Sequence, residues 1–230
     1  LQATIEGVLR MRSSRSCLLP KGHQSLIMSY SVKAIFYTLQ GEGAQTGRPA
    51  VFCRFSRCNL WTGHEKDRAK AICRFCDTDF VGTDGVGGGI FETAEQLAEE
   101  VASHWNNHRS ERVRPFVVCT GGEPLMQLDK SAVDALHNRD FEIAIETNGT
   151  IIPPQGIDWI CVSPKAAAPL VLHEGNELKL VYPQTGLCPE KLTGLHFDYY
   201  FLQPMDGPEL AENTNLALKY VLEHPQWRLS

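Results

Sequence analysis

The sequence predicts an α/β fold: a reduced, open, partial TIM-like barrel of about six mostly parallel strands with about three helices, preceded by an N-terminal strand or hairpin. Three observations carry this. Seven short apolar or alternating runs recur along the chain, and most break off into a polar or glycine-rich motif. Only three stretches read as helix. Several connections are too short, or too rich in proline and glycine, to hold a helix, which argues against a complete eightfold barrel.

Taken in order, residues 32–38 form the strand expected outside the parallel set, and 50–55 the first strand within it. The glycine-rich stretch 82–89 (GTDGVGGG) reads as a loop. It is not a phosphate loop, because no Lys-Ser/Thr pair follows it. Ala94, Leu97, Ala98, Val101, Ala102 and Trp105 make one continuous helical stripe, and Thr93 with Gln96 makes a capping box at its start. Strand 116–119 runs into TGGEP. A helix follows over about 129–138, then strand 141–145 ending in ETNG. Strand 159–162 ends in SPK, strand 178–182 follows, and strand 199–202 ends in QPMDG. The last helix covers 216–223 and stops before Pro225. Strands that deliver polar motifs at the same end build one rim, and in barrels of parallel strands chemistry sits on that rim.

The chain of 230 residues, 43% hydrophobic, suits one core. Residues 28–230 are therefore expected to be a single domain. Residues 1–27, with Arg10, Arg12, Arg15 and Lys21 against Glu6, read as a disordered or non-native extension. A net charge of −5 with no basic run disfavours nucleic acid as a partner. No apolar run approaches a membrane span. A soluble, cytoplasmic protein is expected.

Eight cysteines in a chain this long do not make a disulfide scaffold. Cys119 and Cys161 lie in apolar runs and read as small buried hydrophobes. Cys17 and Cys188 have no partner legible in the pattern. Cys53, Cys58, Cys73 and Cys76 admit two readings. All four could close a tetrahedral zinc site. Alternatively Cys58, Cys73 and Cys76 hold a [4Fe–4S] cluster with one iron open, while Cys53, two residues from Val51 in AVFCRF, faces the core. The glycines of TGGEP allow close backbone approach to a ligand, and Glu123 offers a carboxylate to a cation.

A cysteine trio followed by strands ending in GGEP, ETNG and SPK resembles the radical S-adenosylmethionine (SAM) enzymes. The gap of fourteen residues, Asn59 to Ile72, departs from their usual C-x3-C-x2-C. It is similar to that of the 7-carboxy-7-deazaguanine synthase family of queuosine biosynthesis, as are YTLQGEG (37–43), Arg54, CRFCDT (73–78), TGGEP, ETNG, SPK and QPMDG, together spanning residue 29 to the C-terminus.

The resemblance implies that Cys58, Cys73 and Cys76 bind the cluster and that SAM chelates the open iron. Phe75 would pack near the adenine, and Gly122 and Glu123 would meet the methionine amino group. Glu146, Ser163, Lys165, Gln203, Pro204, Met205 and Asp206 would complete the SAM site. Leu39, Gln40, Gly41, Glu42, Arg54 and Thr120 would hold the substrate, 6-carboxy-5,6,7,8-tetrahydropterin. Independently, a substrate carboxylate suits the guanidinium fork of Arg54. Mg²⁺ would sit at Thr78, with Asp77 as a further ligand or only a turn cap. SAM would open to a 5′-deoxyadenosyl radical and be regenerated after a ring contraction that expels ammonia. A homodimer and a reductant such as flavodoxin are implied as partners. The family continues beyond a segment like HPQWRLS with a short tail, so truncation at the C-terminus is expected. The charged stretch 63–70 reads as a solvated loop, with a donor-docking surface as the alternative. Competing readings are a glycyl-radical activase, which would consume SAM, and a zinc-stabilised binding module.

Overall fold

The computed structural model describes residues 29–106 and 113–230. The extension expected over 1–27, with Cys17, lies outside the described residues. The elements in chain order are β1 (Tyr30–Leu39), β2 (Pro49–Phe55), β3 (Gly89–Phe91), α1 (Ala94–Asn106), β4 (Phe116–Gly121), α2 (Lys130–His137), β5 (Glu142–Thr147), β6 (Trp159–Val162), β7 (Glu174–Tyr182), β8 (His196–Pro204), α3 (Leu210–Glu223) and β9 (Trp227–Leu229). The strands form one open mixed sheet in the order β3-β1-β2-β4-β5-β6-β7-β8-β9. β1 pairs antiparallel with β2 and β3, and every pairing from β2 through β9 is parallel.

The expected count of about six strands plus a hairpin is therefore corrected to nine among the described residues. β3 and β9 are three-residue strands, too short to carry an alternating pattern. β9 follows Pro225, where the pattern reads only as the end of a helix. The three helices stand where expected, except that α3 begins at Leu210 and not at 216. Its first turns carry no apolar stripe. The buried residue there is Asn213, whose amide donates to the Met205 carbonyl at 2.9 Å and steadies the segment after β8. At α1 the capping pair forms: Thr93 Oγ1 accepts from Gln96 N at 3.2 Å, and Gln96 Oε1 accepts from Glu92 N at 2.8 Å.

Strand parity then sorts the residues by face. Val51, Cys53, Val117, Cys119, Ile143, Ile145, Val162, Leu178, Leu180 and Leu202 turn to the helices and share the main core with Leu97, Val101, Leu136 and Ala217. The alternate residues face the other way. Toward the strand starts they are apolar: Ala50, Phe116, Val118 and Ala144, with Phe52 and Trp159 against them. Toward the strand ends they become Arg54, Thr120, Glu146, Ser163, Lys179 and Gln203, and these line a cavity. The switch from apolar to polar along one face places the site.

Below the apolar band, Arg48 forks onto Glu142, Nη1 to Oε1 at 2.8 Å and Nη2 to Oε2 at 2.5 Å, with the guanidinium 3.8 Å from the centre of the Phe116 ring. The Arg48 bond holds the Glu142 carboxyl below its usual range. A carboxyl whose folded pKa is depressed stabilises the fold above its unfolded pKa, and that contribution disappears as pH falls through the folded value. Both side chains are about a quarter exposed, which limits the effect to roughly 1 kcal/mol. Glu142→Gln should therefore lower stability to urea at pH 7 and make little difference near pH 3.

Candidate active site

The C-terminal ends of the parallel strands enclose a cavity of about 630 Å³. Cys58, Cys73 and Cys76 line it together, while Cys53 lies on the helix-facing side of β2, 1% exposed and in register with Cys119. The four thiols thus do not share one site, and the four-ligand zinc reading loses its fourth ligand. Among the described residues, no three or more His, Cys, Asp or Glu side chains gather as for a single metal ion. A cluster several atoms across takes thiols set wider apart. Burial pushes the Cys58 and Cys73 thiols up, toward the protonated form.

The glycine turn after β4 brings Cys58 into place. Gly122 N donates to Phe55 O at 3.2 Å and Glu123 N to Arg57 O at 2.9 Å, so the end of β4 is zipped to the start of the loop that carries Cys58. A Cβ on Gly122 would stand 1.9 Å from Arg57 O, and one on Gly121 would stand 2.1 Å from Phe55 O. The close approach read from TGGEP is therefore first of all an approach to the cluster-loop backbone. Glu123 is fully buried and is the one named site residue whose side chain is not on the cavity wall. Its Oε1 accepts from Thr147 Oγ1 at 2.8 Å and Leu125 N at 3.1 Å, and its Oε2 accepts from Asn148 N at 2.8 Å. It ties the turn after β4 to the loop after β5. Burial raises its pKa in spite of these bonds.

Near the cluster thiols, Lys165 Nζ donates to Ser163 O at 2.7 Å and Oγ at 2.6 Å, and lies 5.9 Å from the Phe75 ring centre. Burial lowers its pKa. The segment Gln203 to Asp206 also lines the cavity, and among the described residues the buried Gln203 Oε1 has no donor. Thr78 Oγ1 donates to Asp77 Oδ1 at 3.3 Å, both at the cavity edge.

Leu39, Gln40, Gly41, Glu42, Arg54 and Thr120 also line the cavity. Arg54 Nη1 donates to the Asp79 carbonyl at 3.5 Å, its guanidinium lies 5.7 Å from the Phe36 ring centre, and among the described residues its buried Nε has no acceptor. Glu146 belongs with this group: its Oε1 accepts from Gln40 Nε2 at 3.2 Å, and its Oε2 meets Lys179 at 3.0 Å. Lys179 also pairs with Glu42 Oε2 at 2.7 Å. Burial alone would lower the Lys179 pKa, but the charges of Glu146 and Glu42 hold the ammonium well above its usual range. Sequence reasoning missed Lys179. Its signal was a lone lysine between leucines in a strand covered on both faces. Lys179→Met should cost about 2 kcal/mol at neutral pH, because it strands two carboxylates around an apolar side chain, only one of them well exposed. Urea unfolding at pH 7 checks this.

Three thiols on an extended loop, set against a glycine turn on a rim of parallel strand ends, define a radical SAM enzyme. No protein-family model matches the chain. It is 63% identical over 203 residues to the 7-carboxy-7-deazaguanine synthase of Caulobacter vibrioides, spanning 88% of this chain and 95% of that protein. It is 61% identical to the synthase of Bordetella pertussis, with the same coverage of both chains. The crystal structure of QueE from Escherichia coli superposes with a TM-score of 0.63 at 26% identity, over 88% of this chain and 93% of that one. The chain belongs to the 7-carboxy-7-deazaguanine synthase family, whose product serves queuosine biosynthesis. Membership implies a [4Fe–4S] cluster and SAM. No helix among the described residues is long and apolar enough to cross a membrane.

Proposed function

We propose that this chain converts 6-carboxy-5,6,7,8-tetrahydropterin to 7-carboxy-7-deazaguanine by a ring contraction that releases ammonia, on the inner face of an open partial barrel. Substrate and products balance without a net oxidant, in keeping with SAM acting as a cofactor. The observation that carries the reading is one cavity lined both by three thiols and by a set of carboxylates with a guanidinium.

Cys58, Cys73 and Cys76 hold the cluster, which when bound supplies the electron that opens SAM reductively. Phe75, Gly122, Ser163, Lys165 and the segment Gln203, Pro204, Met205 and Asp206 seat SAM, and the unpaired Gln203 Oε1 offers it an acceptor. Glu123 faces the methionine ammonium only through the turn it fixes. Arg54 takes the pterin carboxylate on its unpaired Nε. Glu42 and Glu146, each paired with Lys179, accept from the N–H groups of the pterin ring, with Leu39, Gln40, Gly41 and Thr120 around it. Thr78, with its hydroxyl oxygen beside Asp77, would hold Mg²⁺, which would supply a hard cation to oxygen ligands. The chain acts as a homodimer. Its reductant is an acidic redox protein of the flavodoxin kind: residues 57–74, which span the loop between Cys58 and Cys73, carry five cations against two acids in a chain of net charge −5.

An anaerobic assay of the reconstituted protein with SAM, Mg²⁺, a strong reductant and 6-carboxytetrahydropterin, read by mass spectrometry, tests the reading. It predicts a product lighter than the substrate by one ammonia and no accumulation of 5′-deoxyadenosine. Release of 5′-deoxyadenosine without that product would overturn the substrate assignment.

A further inference from the structure

The fourteen residues between Cys58 and Cys73 are not a passive, solvated spacer. Residues Glu65–Lys70 form a 3-10 helix. Arg68 reaches back from it, past its own turn, to the C-x2-C segment. Its Nη1 donates to the carbonyl of Arg74 at 2.8 Å and to that of Cys76 at 3.1 Å. Its Nε is shared between both carboxylate oxygens of Glu65, each at 2.8 Å. The guanidinium carbon lies 4.1 Å from the centre of the Trp61 ring, which packs edge-on against Phe80. In a charged, outward-facing run this side chain is only 29% exposed.

The segment it grips is otherwise held at its ends, by Arg74 Nε on Ala71 O at 3.3 Å, by Lys33 and Arg54 on Asp79 and by the buried Phe80. Residues 74–80 belong to no helix or strand. Just before them, Ile72 N donates to Leu60 O at 3.0 Å and Cys73 N to the same oxygen at 3.5 Å. Two carbonyls that bracket Phe75 are thus held by one cation whose own direction is set by a carboxylate on one side and an indole face on the other. A planar fork fixed in this way restrains both the position and the twist of the peptide it binds.

We propose that Arg68 is a positioning residue for the iron–sulfur cluster: it clamps the turn carrying Cys73 and Cys76, so that both thiols keep the spacing a cluster requires. The proposal rests on the reading of Cys58, Cys73 and Cys76 as the ligands. The long insertion is then part of the cofactor site, built to supply from outside the order that a shorter loop draws from its own tight turn. Lysine cannot replace the fork, since one ammonium does not reproduce its planar geometry.

The test uses the full chain with Arg68→Gln, Arg68→Lys and Glu65→Gln. The first readout is the rate at which anaerobically reconstituted protein gives up iron to the chelator EDTA. The second, on cluster-free protein, is the rate of iodoacetamide labelling at Cys73 and Cys76, with Cys58 as the internal reference. Arg68→Gln should release iron about tenfold faster, as expected for the loss of charge-assisted bonds. It should also label faster at Cys73 and Cys76 but not at Cys58, with the far-ultraviolet circular dichroism unchanged. Arg68→Lys and Glu65→Gln should fall between it and the parent. Iron release and labelling equal to the parent would overturn the clamp, and so would equal acceleration at all three cysteines with loss of secondary structure. A parent protein that takes up no iron would sink the cluster reading instead, and the labelling ratio would still decide the clamp.

Discussion

Alanine at Cys58, Cys73 or Cys76 should abolish turnover and leave the reconstituted protein without a full complement of iron, whereas Cys53→Ser should keep both the cluster and its brown colour. The contrast follows from placement. The three loop thiols line one cavity. Cys53 is fixed by the alternation of β2 on the opposite face, between Val51 and Phe55, and is buried in the helix-facing core. Burial pushes its thiol well up, so it stays neutral. Serine at that position buries a hydroxyl where a thiol was tolerated, at a cost of about 1–3 kcal/mol in stability. The substitution should therefore appear in a urea titration and be absent from the iron analysis. Equal iron loss in all four variants would return the four-thiolate zinc reading.

Gly122→Ala should be nearly as damaging as losing a ligand. A methyl group 1.9 Å from Arg57 O and 2.9 Å from Cys58 Cβ cannot be absorbed by a rotamer change, because the first obstacle is backbone. Relief requires the ends of β2 and β4 to part, which breaks the bonds from Gly122 N to Phe55 O and from Glu123 N to Arg57 O. It also carries Cys58 away from Cys73 and Cys76. We expect a loss on the order of 3 kcal/mol, together with poor iron retention. Gly194→Ala is the control: a Cβ there meets nothing within 4 Å, and its stability should match the parent. Thermal unfolding and iron content of the two variants, side by side, check this.

The parts of the fold that were legible in the sequence have strong periodicity. α1 announces itself through six apolar residues in one stripe, and the parallel strands through runs that stop at polar motifs. What was not legible depends on contacts far apart in the chain. β3 and β9 take their extended form from a neighbouring edge, since three residues hold no pattern of their own. The early start of α3 rests on Asn213 finding the Met205 carbonyl.

In the site, the motif residues were legible as a set, but some of their tasks were not. The glycines of TGGEP read as space for a ligand, yet the nearest obstacle to a side chain is the peptide after β2. Glu123 reads as a partner for an ammonium, yet its oxygens are taken by Thr147, Asn148 and Leu125. Glu146 groups with the SAM residues by its motif, and its carboxylate is bonded to Gln40 and Lys179. Lys179 and Arg68 were overlooked because each acts on residues that no spacing rule connects to it.

The most direct test of the central claim, that three thiols hold a cluster with one iron open to SAM, is low-temperature electron paramagnetic resonance of the anaerobically reconstituted and reduced protein, recorded with and without SAM. The account predicts a reduced [4Fe–4S] signal whose shape changes when SAM is added. A colourless protein that retains zinc and gives no iron signal, or a cluster signal indifferent to SAM, would contradict it.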